Sequence, residues 1–475
     1  MLENPLKSVS DYVSTVAVYG GVCVSKKQAD LVSMLMSTMV LLGSFKITLV
    51  SVLFLMRVSP SAVYAMLRRG VLPVKKLFWG GLKLSFEVFK IQGVSVLIDD
   101  TERERSKNCR SLPFVRKTIC KATGGWIQAQ NMVFIVLATD KVTIPIWFCF
   151  HRPAKLSKEQ KKICKKNSKK TKIFDRKYRT KVDLACIGIF IVSRMLKRIK
   201  RETNLEFSLR LVSADNGFSS SQVQQAVDKH LNCQFISKAN PRQNIFHKRK
   251  QRTLEDWFVN IKSVSKEIYL RGSKTKIEFK SARVEVSAYG RKVHVVALRY
   301  DEKSSWQYIF ATDLTWARES IIQSYSLRWL VEVFFEDWKQ YDGWGVGALQ
   351  RNVEGAARGS YLSLLTDLFL LHYQRTKPSL QEHVRSELYS AGTVIRLLHV
   401  EAIHQAIEDV LKHENPRKKL EEIHAKMIEI VDRRISSKHG VRWEDQGLQS
   451  SPSLTKRWGR PNEEEPVHQK SLKRA

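Results

Sequence analysis

Acidic residues are scarce in this chain: 46 Asp and Glu face 81 Lys and Arg over 475 residues, a formal net charge of +35. Such an excess leaves a long-range field that attracts polyanions, with nucleic acid the leading partner and an anionic lipid surface its rival. Paired cysteines are also missing. The seven cysteines, Cys23, Cys109, Cys120, Cys149, Cys164, Cys186 and Cys233, are odd in number and include no C-x-x-C pair. That excludes a disulfide framework and a structural zinc site, and it fits a reducing cytoplasm. His230 and Cys233 have metal-like spacing but no second pair, so both are expected to be packing residues. An uninterrupted apolar span is absent as well. The run Leu31 to Met56 carries Lys46 at its middle, which costs about 2.5 to 3.5 kcal/mol at mid-bilayer, and Gly43-Ser44 reads as a turn. No membrane span is expected. Met1 to Lys26 lacks a basic region, apolar core and small-residue cleavage site in series, so no secretory signal is expected. No internal repeat is visible.

What is present is ample core material, with 43% hydrophobic residues, enough for two to four domains. Residues 1–88 read as a helical N-terminal region, with a break at Ser59-Pro60. Within it Ser61 to Leu84, bearing Arg68, Arg69, Lys75 and Lys76, reads either as a small DNA-binding helix pair or as an amphipathic helix with a solvated basic face. From Gly93 the period changes to that of strands: Val94 to Thr101, Gly125 to Ala138, and Val142 to Phe150, the last two joined by a turn at Asp140-Lys141. A lysine-rich bridge follows from Lys155 to Lys181, whose doublets suit both a solvated segment and a DNA backbone. Then come a helix (Ala185 to Ile199), a strand ending at Asp215, a helix (Ser221 to Leu231) and a strand (Gln234 to Lys238). Strict alternation between Lys274 and Thr312 predicts antiparallel strands. Ile277 and Phe279 are placed on one, Val284 and Val286 on the next, with turns at Tyr289-Gly290 and Lys303-Ser304. Helix resumes before Tyr325, and a tail after about Ser436 is expected to be disordered. The class is α/β, with a mixed sheet.

The segment Tyr325 to Lys339 is the most informative. At about 100° per residue, Arg328, Glu332 and Lys339 lie about 300°, 700° and 1400° on from Tyr325, so all four share a sector of roughly 60° on one α-helix. A hydroxyl, two cations and a carboxylate therefore line one face of an otherwise apolar helix. Two aspartates join them as candidates, Asp100 or Asp99 at the end of the first strand and Asp215 at the end of a later one. Parallel sheets carry functional groups at the carboxyl ends of their strands, so such acids can share a site under a helix. Hard oxygen ligands suit Mg²⁺ or Mn²⁺, and a pair of ions about 3.5 to 4 Å apart supports in-line phosphoryl displacement. Each acid alone is weak evidence, because strand-end aspartates commonly cap turns and a helical Arg-Glu pair at i, i+4 is commonly a surface pair.

The spacing Y-x-x-R-x-x-x-E-x-x-x-x-x-x-K, met by Tyr325, Arg328, Glu332 and Lys339, resembles the signature of the IS4-type bacterial insertion-sequence transposases. Trp329, Phe335 and Trp338 extend the match, as do Asp-Asp-Thr at the first strand and Asp-x-Gly-Phe at Asp215. The resemblance covers roughly residues 90–373. It implies an RNase H-like core in two parts (89–241 and 314–375) with a β-rich insertion between them (242–313), the stretch where the alternation falls; beyond the resemblance, a helical C-terminal region (376–435) and a basic tail (436–475) are expected. It further implies Asp100, Asp215 and Glu332 as catalytic metal ligands for Mg²⁺, with Mn²⁺ able to substitute. Tyr325, Arg328 and Lys339 are then DNA phosphate contacts. The implied partners are double-stranded DNA and a second copy in a homodimer, and the implied chemistry is cut-and-paste transposition through a hairpin of the element end. An aromatic residue of the insertion stacks on a flipped base in the family, a part the resemblance opens to Trp306 or Tyr308, though both are expected first as strand packing residues.

Adjacent strand residues point to opposite faces, so Asp99 and Asp100 cannot both ligate one ion. The family pattern, acid immediately before Thr, selects Asp100, and the signature spacing selects Glu332 over Glu336. Asn216, where Arg or Ala is expected, and the long lysine bridge depart from the pattern. Two rivals remain: a tyrosine recombinase in which Tyr325 attacks phosphate without metal, and a transposase-derived DNA-binding protein with a dead site.

Overall fold

The computed structural model describes residues 4–43, 60–69, 72–105, 112–119, 124–152, 179–247, 250–341, 352–376 and 389–434. The lysine-rich bridge up to residue 178, the turn and apolar run after Gly43, and the tail lie outside them. Four helices open the chain: α1 (Lys7–Tyr19), α2 (Lys26–Leu42), α3 (Pro60–Arg69) and α4 (Val74–Phe89). Helix α2 starts on a Ser25/Gln28 capping box and stops at Gly43, whose φ of 56° supplies the left-handed C-cap. Among the described residues no helix is long and apolar enough to cross a membrane.

A meander follows: β1 (Gly93–Arg105), β2 (Arg116–Ile119), β3 (Trp126–Thr139) and β4 (Thr143–Phe150). Strand β3 pairs antiparallel with β1, β2 and β4. Helix α5 (Lys181–Thr203), capped by Thr180 and Asp183, leads to β5 (Ser208–Ala214), which lies parallel to β1 on its other edge. Helix α6 (Ser221–His230) leads to β6 (Gln234–Ala239), parallel to β5. The order β4-β3-β1-β5-β6 is thus a mixed α/β sheet.

The same sheet continues past β6 through the segment expected as a β insertion. The hairpin β7 (Asn244–His247) and β8 (Lys250–Thr253), the short α7 (Leu254–Val259), β9 (Val264–Leu270), β10 (Ser273–Val286), β11 (Arg291–Arg299) and β12 (Gln307–Ala311) complete it. Strand β12 pairs antiparallel with β6, so the insertion extends the core sheet. The two strands expected at Ile277/Phe279 and Val284/Val286 are one strand, β10. Ile277 and Phe279 face one apolar cluster while Val284 and Val286 face another. The switch from odd to even burial marks a change in which face is covered, and no turn separates the pairs.

After β12 come α8 (Arg318–Ser326), α9 (Trp329–Gln340), α10 (Val353–Thr376), α11 (Ala391–Leu411) and α12 (Pro416–Arg434). Helix α8 covers β6, β9, β11 and β12, burying Ile321 and Ile322. Helix α9 covers β1 and β4 and drives Phe334, Phe335 and Trp338 onto Phe134 of β3. On the opposite face α5 packs Gly188 against Ile135 and Trp147. Helix α4 is mostly buried between α1 and α10 and shares one core with the sheet, so the basic stretch after Ser61 does not stand apart as a free helix pair.

Two glycines set these close approaches. A Cβ on Gly80 would stand 2.0 Å from the Val16 carbonyl oxygen of α1, and one on Gly188 would stand 2.6 Å from Ile135 and Trp147 side-chain atoms. Overpacking costs about 1 to 3 kcal/mol where neighbours yield. Gly80→Ala, meeting backbone, is expected to lower the urea midpoint more than Gly188→Ala, which meets side chains. Equal midpoints for both variants and wild type would contradict this packing.

Candidate active site

Strand β1 is held by β3 along Val94 to Arg105 and by β5 along Gly93 to Ile98. Ile98 is level with Ala214 in the parallel register, so the next residues, Asp99 and Asp215, emerge side by side where β5 ends against the middle of β1, which runs on to Arg105 past the strand end expected at Asp99 or Asp100. Asp215 has extended backbone (φ −75°, ψ 167°) before a single 3₁₀ turn, and its side chain makes no capping bond to that turn. The usual structural use of a strand-end aspartate is therefore not its use here.

The helix that lies over this edge is not one regular helix. Between Tyr325 and Val331 the backbone bonds run i to i+3, from Arg328 N–H to the Tyr325 carbonyl and from Val331 N–H to that of Arg328. The expected continuous α-helix is thus two helices joined by a tighter turn, as sequence period alone does not distinguish 3.0 from 3.6 residues per turn over one turn. The joint falls over the two aspartates, between the apolar patches under α8 and α9.

Arg328 is the hub. Its Nη1 donates to Asp99 Oδ2 at 2.9 Å and its Nη2 to Glu332 Oε1 at 2.6 Å. Burial opposes its charge, but Tyr325, Glu332 and Asp99 outweigh burial and hold the guanidinium above its ordinary range. Asp99 is 13% exposed; burial pushes its carboxyl up to about 6, with Asp215 adding to the rise while Arg328 and the Asp100 N–H work against it. Burial likewise pushes the Tyr325 phenol up to about 12, with Asp215 and Asp99 contributing. Asp99, Asp215, Tyr325, Arg328 and Glu332 therefore form one polar group.

Asp100, expected as the first acid, does not join it. Its carboxylate takes Lys181 Nζ at 2.7 Å and Asn131 Nδ2 at 3.0 Å on the face covered by α5. The pleat of β1 decides this, since Asp99 is level with Phe134, the residue that meets α9. The sequence carries no face signal here, because Val94, Ser95, Val96, Leu97 and Ile98 are all buried. Glu332 is 52% exposed and turned onto Arg328. Lys339 lies toward the outer end of β1; burial pulls its ammonium below the ordinary value and Arg103 adds to the fall. Tyr308 is a buried strand residue packed on Phe258, its phenol pushed up to about 12 by burial. Trp306 stands between Lys280 and Arg299, 4.8 and 4.6 Å from its ring, on a cavity of about 490 Å³ that Tyr308 also lines. Among the described residues no three His, Cys, Asp or Glu side chains converge as a metal-holding group.

No protein-family model matches the chain, and no curated protein matches it in sequence. Among solved structures, the NurA nuclease from Sulfolobus solfataricus is similar over 72% of this chain and 95% of its own, at 8% identity and a TM-score of 0.20. At that score the likeness carries no argument about fold or chemistry.

The raised Asp99 carboxyl makes stability depend on pH with a definite sign. Below about pH 4, near its ordinary value of 3.8, the group is protonated in both states and has no effect. As pH rises the unfolded chain ionises first while the folded carboxyl resists until about 6, so stability falls across this window and then levels off. Asp99→Asn is expected to remove that component from the thermal midpoint measured between pH 4 and 7. An identical pH slope in the variant would show that Asp99 is not the buried acid described here.

Proposed function

We propose that this chain is a metal-dependent DNA transposase of the IS4 type, cleaving at the ends of an insertion sequence and joining them to target DNA. The observation that carries the reading is the placement of Asp99 and Asp215 side by side where the parallel pairing of β1 and β5 ends, with the Tyr325-Arg328-Glu332 joint laid over them. Strand order β4-β3-β1-β5-β6, with the first three antiparallel and the last two parallel to β1, is compatible with an RNase H-like core and supports that assignment. The net charge of +35 supports a polyanionic substrate.

The donor set suits Mg²⁺, or Mn²⁺ in its place: two hard carboxylates, one of them buried and disfavoured as an anion by its neighbour. Asp99 and Asp215 would hold it, and Glu332 would complete the set on parting from Arg328. When bound, such ions activate the attacking water or 3′-hydroxyl and stabilise the leaving oxygen. The rest falls to the chain. Arg328 cannot pair with both acids and a phosphate, so once the acids are ligated its fork is available to DNA. Tyr325, protonated because its phenol titrates near 12, presents a donor to a phosphate oxygen. Lys339 extends the grip toward the end of β1, and Trp306 would face an extruded base in its cavity once Lys280 and Arg299 leave its ring for phosphate. A second copy of the chain pairs the two element ends.

The high phenol value of Tyr325 disfavours the tyrosine-nucleophile rival, which needs a phenolate or an adjacent base. One observation favours the catalytically inactive reading: Glu332 is held by Arg328, and no three acids converge among the described residues.

With a duplex carrying the DNA that flanks the coding region, Mg²⁺-dependent cleavage is expected. It should stop with EDTA and fall on the order of 10³-fold in Asp99→Ala, Asp215→Ala and Glu332→Ala, against a small change in Asp100→Asn. Cleavage that survives Asp215→Ala, or a protein-DNA adduct formed in EDTA, rules the assignment out. Arg328→Ala is expected to weaken binding of the same duplex and to lower its salt slope by about 1, the value for a single phosphate. Parallel salt titrations of variant and wild type read this directly, and identical slopes would remove Arg328 from the DNA-binding residues.

A further inference from the structure

The proposed chemistry uses one face of the sheet and leaves unexplained a concentration of cations on the other. Helix α5 buries Leu184, Gly188, Ile189, Val192, Leu196 and Ile199 against the sheet. Its outward side carries Phe190, Arg194, Lys197, Arg198 and Arg201, all exposed. At about 100° per residue these five fall within a sector of roughly 100°, and Arg194 to Arg201 spans about 10 Å of helix. Among the described residues Arg194, Lys197 and Arg201 have no acidic partner within salt-bridge distance. Arg198 does pair with Glu202, which also takes Lys83 and the Trp79 indole N–H.

The stripe borders two adjoining cavities of about 480 and 510 Å³ that share Trp79, Ile191, Met195 and Arg198. At the far end stand Lys75 and Lys76 of α4, both exposed. The result is a cationic rim running from α5 onto α4. A solvated basic face is the ordinary outcome for isolated charges, but three unpaired cations on successive turns, continued by two more across a groove, leave a concentrated field without internal compensation.

We propose that the outer face of α5, with the neighbouring end of α4, binds the backbone of duplex DNA without regard to sequence, on the opposite side of the sheet from Asp99 and Asp215. Charge and the covered aromatic faces select the duplex over a single strand. Binding of a single strand in a groove relies on aromatic faces open for base stacking. Here Phe190 has His230 at 5.1 Å and Arg194 at 5.7 Å over it, and Trp79 is covered by Arg198 at 4.6 Å. What remains open to a ligand is cationic, and phosphates are the match. A membrane surface would need apolar side chains projecting beyond the charges, and Phe190 alone does so on this stripe. The inference stands on charge and geometry and does not need the acid group to be catalytic; a failed cleavage test leaves it untouched.

The test is fluorescence anisotropy of the full chain with a duplex of random sequence, about three helical turns long, across a salt series. Arg194→Ala/Lys197→Ala/Arg201→Ala is expected to bind about tenfold more weakly at moderate salt, with a slope lower by about 0.9 for each phosphate no longer neutralised. All three side chains are exposed, so the thermal midpoint should match wild type, and Arg194→Lys/Arg201→Lys, which keeps the charge, should retain binding. Unchanged affinity and slope in the triple variant overturn the proposal. So does a variant that keeps duplex binding and loses only a single-stranded oligonucleotide or phosphatidylserine vesicles.

Discussion

Strand β1 is paired on both edges and covered on both faces, and the parity of its residues therefore decides what each side of the sheet can do. Odd positions from Leu97 to Arg103 turn toward α9, even positions from Val96 to Asp100 toward α5. A side chain in such a strand has no route from one face to the other short of a change of register. Asp99 consequently meets Arg328 and Asp215, while Asp100, one peptide away, meets Lys181 and Asn131. Each acid has a cation, but only one has a second acid beside it. That asymmetry separates a cluster of acids around Arg328 from a single carboxylate that pins the start of α5 to the sheet.

Arg328 explains how the acidic group is tolerated in the folded chain. A buried carboxylate without a partner costs several kcal/mol, and breaking such a pair costs about 3 to 5 kcal/mol. By spanning Asp99 and Glu332, the guanidinium offsets that cost and ties α9 to β1 across 229 residues of sequence. The tight turn between α8 and α9 is what aims it. A regular helix from Ser326 to Trp329 would rotate Arg328 relative to Tyr325, and the two packing faces of α8 and α9 would no longer match their separate apolar patches.

Much of this is legible in the residues. The meander of β1, β3 and β4, Asp215 at the end of β5 and the polar spacing from Tyr325 to Lys339 follow from period and turn chemistry, whereas β1 runs on past its two aspartates to Arg105. What the residues do not carry is information about covering layers. Continuous burial of Val94 to Ile98 hides which face Asp99 and Asp100 take, and the parity switch inside β10 reads as a turn as long as burial is taken to be one-sided. Strand β2, the β7–β8 hairpin, α7 and β9 are short or highly exposed and carry little alternation, so their pairing rests on neighbours and not on local pattern. The split of the Tyr325 to Lys339 segment has no local signal either, because neither Gly nor Pro marks it.

The register of β1 poses a question that charge alone does not answer. A one-residue slip would bring Asp100 under Arg328 and Asp99 toward Lys181, and both acids would still face cations. Electrostatics is therefore nearly indifferent to the exchange, and shape must hold the strand in place. On the α5 face Gly188 seats so closely on Ile135 and Trp147 that a Cβ there would displace those side chains. On the α9 face Phe134 meets Phe334, Phe335 and Trp338 at ring distances of 5.8, 5.4 and 4.9 Å. Both contacts fix β3, and the ladder from Val94–Thr139 to Arg105–Gln128 transmits that position to β1. The acid that reaches Arg328 is thus selected by apolar packing on a neighbouring strand, so substitutions that loosen Phe134 or Gly188 act on the acidic group without touching any charge.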